Sequence, residues 1–152
     1  MNRTTGKEFP VKKMQDLESL GHRMKWQFFE RLVAFVFEQN EWKVSVNVVK
    51  HLGHGKRQYD VIAASPRHIF AADCKRWTGR RYKASLLRAA AGKQIERCMW
   101  LKPGAKNKII PLIVTLMPED IIIHDGVPIV PILMLNTFIR TWEENDDEIR
   151  QI

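Results

Sequence analysis

The stretch Gln58-Tyr59-Asp60-Val61-Ile62-Ala63-Ala64-Ser65-Pro66-Arg67-His68-Ile69-Phe70-Ala71-Ala72-Asp73-Cys74-Lys75 decides how this chain folds. Two apolar, partly β-branched runs, 58–64 and 68–75, flank Ser65-Pro66-Arg67, a turn signal, and together predict a β-hairpin. A symmetric register about that turn sets Asp60 directly across from Asp73. Alternation along a strand then puts Asp73 and Lys75 on one face and Cys74 on the other. Two opposed carboxylates repel and weaken a sheet. A divalent cation between them reverses the sign, because both become oxygen ligands of a hard metal. A plainer reading stands beside it: two acids at the fraying, solvated end of the hairpin. A one-residue slip of register would favour the plainer one.

Outward from this hairpin the chain alternates between helix and strand patterns. Upstream, residues 22–39 place Trp26, Phe29, Leu32, Val33, Val36 and Phe37 on one broad helical arc, extended by Phe28 and Phe35. Residues 42–48 alternate with period two, as a half-buried strand does. His51-Leu52-Gly53-His54-Gly55-Lys56-Arg57 reads as a glycine-containing basic loop. Downstream, 83–100 predicts a second helix that stops before Pro103-Gly104, and 108–117 a buried strand. Residues 121–123 and 127–130 bracket His124-Asp125-Gly126, a hairpin turn. Residues 131–142 form a closing helix that tolerates Pro131 in its first turn. Three segments follow: an arm or short helix over 1–21, one domain over 22–142 and a solvated acidic tail over 143–152. The order describes an α/β fold, a mixed sheet covered by helices.

The length, 152 residues, suits a single domain, and a 45% hydrophobic fraction argues against disorder. The formal net charge of +8 is unevenly placed. Residues 1–42 carry 7 basic and 6 acidic side chains, 43–108 carry 16 and 3, and 109–152 carry 2 and 8. A block of +13 inside a folded domain points to a polyanion, nucleic acid before anionic membrane. Its three acids are Asp60, Asp73 and Glu96. The N-terminus lacks a signal-peptide apolar stretch, and the greasiest segments are short or broken by His124, Asp125 and prolines. Two cysteines, Cys74 and Cys98, make neither a disulfide framework nor a four-cysteine zinc site. The expectation is a cytoplasmic protein with reduced thiols.

Other residues carry competing readings. Glu30 lies at the edge of the first helix's apolar arc, either facing along the sheet as a third carboxylate or serving as an ordinary boundary glutamate. Gln94 sits within the stripe of Leu87, Ala90, Ala91, Cys98 and Leu101, where an unsatisfied amide costs about 1–3 kcal/mol. It reaches a carboxylate, metal-bound water or phosphate, or it is a satisfied structural amide. Glu96 falls on the opposite, solvated face. His51 and His54 resemble a zinc half-site without further ligands nearby, and Cys74 reads as core rather than nucleophile.

Glu30, then Gln58-Tyr59-Asp60-Val61-Ile62-Ala63, then Ala72-Asp73-Cys74-Lys75-Arg76-Trp77 resembles the PD-(D/E)XK nuclease superfamily. The closer similarity is to Mrr-type restriction endonucleases and archaeal Holliday junction resolvases. It covers residues 24–117, with Gln94 matching a glutamine of Mrr-like branches and Val127-Pro128-Ile129-Val130-Pro131 a similar strand-to-helix ending. Tyr59 stands where proline is common, and Asp73 where many resolvases carry glutamate. The resemblance implies a restriction-endonuclease-like αβββαβ core and a metal-dependent DNA endonuclease. Asp60 and Asp73, with a backbone carbonyl, would hold Mg²⁺ or Mn²⁺. Lys75 would activate water, Glu30 would ligate through water or hold a second ion, and Gln94 would position Lys75 or the phosphate.

The run Lys75-Arg76-Trp77-Thr78-Gly79-Arg80-Arg81-Tyr82-Lys83 interleaves cations with two aromatics. Its cations neutralise phosphates, and Trp77 or Tyr82 can stack on an unpaired base. Lys50, Lys56 and Arg57 flank the same duplex, and the acidic tail either solvates the chain or competes with DNA. These residues do not separate restriction of foreign DNA from resolution of branched DNA. A symmetric homodimer through the apolar C-terminal hairpin and helix is the expected assembly. A non-catalytic DNA-binding module and an RNA-processing nuclease are the competing classes.

Overall fold

The computed structural model describes residues 26–77, 84–116 and 120–152. Helix α1, Trp26–Gln39, buries Phe29, Leu32, Val33 and Phe37, which recur at helical spacing. It ends where Glu41 takes a positive φ of 67° and the Trp42 N–H returns to the Phe37 carbonyl at 3.2 Å. Strands β1 (Lys43–Leu52), β2 (Gly55–Ala64) and β3 (His68–Lys75) follow, then helix α2 (Ala84–Leu101) and a 3₁₀ turn, Lys102–Gly104. Strands β4 (Lys108–Thr115), β5 (Ile122–His124) and β6 (Val127–Pro131) lead into helix α3, Ile132–Thr141.

Among the described residues six strands form one sheet in the order β1-β2-β3-β4-β6-β5. β1, β2 and β3 form an antiparallel meander, β4 lies parallel to both β3 and β6, and β5 pairs antiparallel with β6. α2 is the crossover between the parallel neighbours β3 and β4. Helices α1 and α3 cover one face, over Val61, Phe70, Ala72, Cys74, Ile110, Leu112 and Val114. α2 covers the other, over Ala71, Ile109, Ile113 and Ile129. β4 is buried on both faces, which is why its sequence is a continuous apolar run. Among the described residues no helix is long and apolar enough to cross a membrane.

Several expectations hold. The β2–β3 register pairs Val61 with Ala72 and Ala64 with Ile69, the symmetric arrangement about the Ser65-Pro66-Arg67 turn. The β5–β6 connection is a two-residue turn in which Asp125 and Gly126 have φ of 51° and 77°. Two positive φ values match the turn to the strand twist.

Others are corrected. Residues 51–57 are not a loop: β1 and β2 run to Leu52 and from Gly55, with only Gly53-His54 between them. Backbone pairing of Lys50 with Arg57 and His51 with Lys56 overrides the glycine-rich composition. The acidic C-terminal segment is not a free tail. It forms 3₁₀ turns over Trp142–Glu148 with its acids exposed, while Trp142 and Ile149 enter the core. Ile152 and Ile109 exchange backbone hydrogen bonds of 2.8 and 2.9 Å, and the Arg150 N–H reaches the Gly126 carbonyl. β6 is buried throughout and α3 buries Ile132, Leu135, Phe138 and Ile139, while Leu133 is exposed on α3.

One local feature positions everything that follows. Asn47 in β1 has φ 53°, and it lies opposite Asp60, between the pairs Val46–Val61 and Val48–Tyr59. No residue is inserted, yet the strands change face there. Val44 and Val61 pack with α1 and α3, whereas Val48 and Tyr59 pack beneath α2. A strand of uninterrupted alternation keeps Tyr59 and Val61 on one side. The turned outer half of the hairpin docks on α2, where the Tyr59 hydroxyl donates to the Arg97 carbonyl at 2.6 Å. The His54 Nε2–H donates to the Trp100 carbonyl at 3.1 Å.

Candidate active site at the open end of two strands

The β2–β3 ladder ends at Val61–Ala72. Two residues beyond Ala72 the Cys74 N–H, outside the β2–β3 ladder, donates to Asp60 Oδ2 at 2.9 Å. The Asp60 side chain thereby replaces a backbone acceptor and is fixed beside Asp73, with which it shares a hydrogen bond. Lys75 Nζ lies 3.1 Å from Asp73 Oδ2 on the same strand face. Three residues expected to act together thus meet at one strand opening, and the plainer reading of a fraying, solvated end is set aside by the burial of Asp73, 7% exposed.

The electrostatics follow from this crowding. Burial, the shared hydrogen bond with Asp73 and the charges of Asp73 and Glu30 lift Asp60 from 3.8 to about 7, against the stabilising Cys74 N–H. Asp60 therefore retains its proton to near neutral pH. A divalent cation supplies the same relief without the proton, so the donor set fits a hard metal. Burial first, then Asp60, Asp73 and Glu30, push the Cys74 thiol well upward. Cys74 therefore stays protonated in the core and is no nucleophile.

The other expected residues divide. Glu30 is fully buried on α1 and acts on Asp60 electrostatically. Among the described residues no group of three His, Cys, Asp or Glu side chains is gathered as a ready metal cage. Gln94 is 2% exposed, and its Nε2 donates to the Ala71 carbonyl at 2.6 Å. That bond ties α2 to β3 two residues before Asp73.

On the basic surface, Lys50 and Lys56 are exposed. Arg57 is held by Glu96 at 3.0 Å and lies 5.4 Å from the Trp100 ring centre. Glu96, expected only to be solvated, is exposed yet paired. Arg76 is exposed, and Trp77 is half-buried, packed against the edge of the cluster of Ala90, Ala91, Ile113, Val127 and Ile129. Arg80, Arg81, Tyr82 and Lys83 lie outside the described residues. The sequence reading missed the cluster of His54, Arg57, Glu96 and Trp100. Its members come from β2, its turn and the end of α2, and the one sequence signal is a lone acid in a basic block.

A mixed sheet flanked by helices, with αβββαβ order and an acid-lysine cluster at its strand ends, defines a restriction-endonuclease-like α/β architecture in general terms. Residues 25–114 match the NERD model, the nuclease-related domain, and the chain belongs to that family. An uncharacterised protein of Archaeoglobus fulgidus is 31% identical over 116 residues, covering 76% of this chain and 90% of that protein. Two crystal structures share a distant likeness. AF1548, a protein of unknown function, has 18% identity and a TM-score of 0.45 over 65% of this chain. VC1899 from Vibrio cholerae has 15% identity and a TM-score of 0.46 over 81%. The chain spans 46% and 34% of those two proteins.

Proposed function

We propose that this nuclease-related domain is a metal-dependent DNA endonuclease with its active site at Asp60, Asp73 and Lys75. The observation that carries the reading is the contact of two carboxyl groups at the end of the β2–β3 ladder, with an ammonium 3.1 Å from one of them. Asp60 and Asp73 would hold Mg²⁺ or Mn²⁺, which when bound neutralises phosphate charge and lowers the pKa of a coordinated water. Lys75 holds Asp73 in orientation and presents donors to the negative charge that develops on the phosphate. Glu30 adds buried negative charge that strengthens the site's demand for a cation. The exposed cations Lys50, Lys56 and Arg76 supply phosphate contacts around it.

The test compares cleavage of plasmid, linear, methylated and four-way-junction DNA with Mg²⁺, Mn²⁺ or EDTA. Cleavage that needs the metal and vanishes in Asp73→Ala and Lys75→Ala, with DNA binding largely kept, supports the reading. Equal cleavage by both variants places the chemistry elsewhere. Binding without cleavage under every condition makes the chain a non-catalytic DNA-binding module.

A further inference from the structure

On the outer side of α2 a shallow depression is lined by Gly92, Ile95, Glu96, Met99 and Trp100 of the helix and by His54 of the β1–β2 turn. Its floor is open because a Cβ at Gly92 would meet nothing within 4 Å. Its walls are apolar and aromatic. Met99 is 60% exposed, the highest value among the large apolar side chains described, and the His54 and Trp100 rings meet at 4.6 Å, tilted by 56°. Glu96 is the one acid of the wall, with Oε1 engaged by Arg57.

The surroundings are cationic. Arg88 lies one helical turn from Gly92 on the same face and is exposed, as are Lys93 and Lys56. Arg57 stands on the rim. A solvent-exposed apolar hollow ringed by cations is complementary to a nucleotide, whose base is flat and apolar on its faces and whose phosphate is anionic. A carboxylate in the wall accepts from an exocyclic amino group. The hollow also has a fixed relation to the active site. Arg57 and Asp60 are three residues apart on β2, roughly 10 Å of strand. The adjoining strand residue, Tyr59, is pinned to α2 through the Arg97 carbonyl.

We propose that this hollow takes one unpaired, amino-bearing base of the nucleic acid held at Asp60 and Asp73. The inference rests on the endonuclease reading and names a feature of its substrate. A base inserted here must leave its stack, so a duplex with an unpaired nucleotide near the cut is favoured over a continuous one.

Binding is measured with the cleavage-deficient Asp73→Ala chain, on a fully paired duplex and on the same duplex carrying a single bulged cytosine. A preference for the bulged duplex of about tenfold is expected, the range of one base–aromatic stack. A Cβ at Gly92 meets nothing within 4 Å, and Gly92→Leu replaces a helix-disfavouring residue while projecting into the hollow; its thermal melt, expected at or above that of the parent, reports that it folds. In this background it reduces the preference to about one, and Trp100→Ala reduces it too. A preference retained in Gly92→Leu overturns the proposal. Cleavage of paired duplex by the unmodified active site, with no preference for the bulge, overturns this inference alone. Absence of both binding and cleavage overturns the endonuclease reading with it. Concentration-dependent self-association that Gly92→Leu abolishes assigns the face to a second copy of the chain and overturns the base site.

Discussion

The Cys74 backbone N–H donates to Asp60 Oδ2 at 2.9 Å, across the point where β2 and β3 cease to pair. A side chain has taken over an acceptor role that belongs to the strand ladder. The same bond holds Asp60 against Asp73, so the end of regular sheet and the start of the site are one event.

Asp60, raised to about 7 in the fold, makes the metal-free protein less stable in alkaline solution. Its contribution is fully present below the unfolded value near 4 and is lost as pH rises through about 7, because the folded state holds the proton more firmly. Asp60→Asn keeps an acceptor for the Cys74 N–H and removes the ionisation. In EDTA at pH 8 it should raise stability by on the order of 1 kcal/mol, a few degrees in Tm, with little change at pH 4. Calorimetry at the two pH values reads this directly.

Cation binding should appear as thermal stabilisation at pH 8. Mn²⁺ at about a hundred times its Kd raises stability by about 2.7 kcal/mol. The shift should disappear in Asp73→Asn and shrink toward pH 5, where Asp60 keeps its proton. An equal shift in the variant would place the ion elsewhere.

Gln94→Leu preserves volume and leaves the buried Ala71 carbonyl without its donor. A loss of about 1–3 kcal/mol is expected, seen as a lower urea midpoint at unchanged m-value. Cleavage per folded molecule should fall little, since the amide is bonded to backbone. A large loss of turnover at full stability would give Gln94 a direct part in the chemistry.

Removal of residues 149–152 deletes the buried Ile149 and the paired hydrogen bonds between Ile152 and Ile109. The expected cost is about 2–4 kcal/mol, comparable to truncating one large core side chain and losing its anchors. Exposed acids alone in this segment would make the deletion neutral, so denaturant titration distinguishes docking from solvation.

Affinity for duplex should fall steeply with salt. Each of Lys50→Ala and Lys56→Ala should lower the slope of log K against log salt by about one, uniformly across sequences. Arg57→Ala has a second effect: it also frees Glu96 and uncovers Trp100, loosening the hairpin from α2. Fluorescence anisotropy across a salt series separates the two.

Much of the fold was legible from neighbouring residues. The turn at Ser65-Pro66-Arg67 and the apolar runs beside it define a register within one hairpin, so the Asp60–Asp73 pairing needed no distant information. The α1 stripe and the Asp125-Gly126 turn are legible for the same reason. The strand content of 51–57 was hidden, because Gly53, Gly55 and the charges read locally as loop while cross-strand pairing held them extended. The half-burial of Trp77 against the cluster that includes Ile113 and Ile129 was hidden as well, because those partners lie far along the chain from the basic run.

The sequence by itself determined an α/β chain with a basic middle, an aspartate pair across a hairpin and a lysine two residues beyond one of them. Those properties depend on strand alternation and local turn chemistry, which act over a few residues. Only the tertiary structure decided that the hairpin turns at Asn47 and Asp60, that its tip docks on α2 and that the acidic end anchors by Ile149. Each depends on surfaces brought together from distant parts of the chain, where packing and long-range hydrogen bonds outweigh local preference.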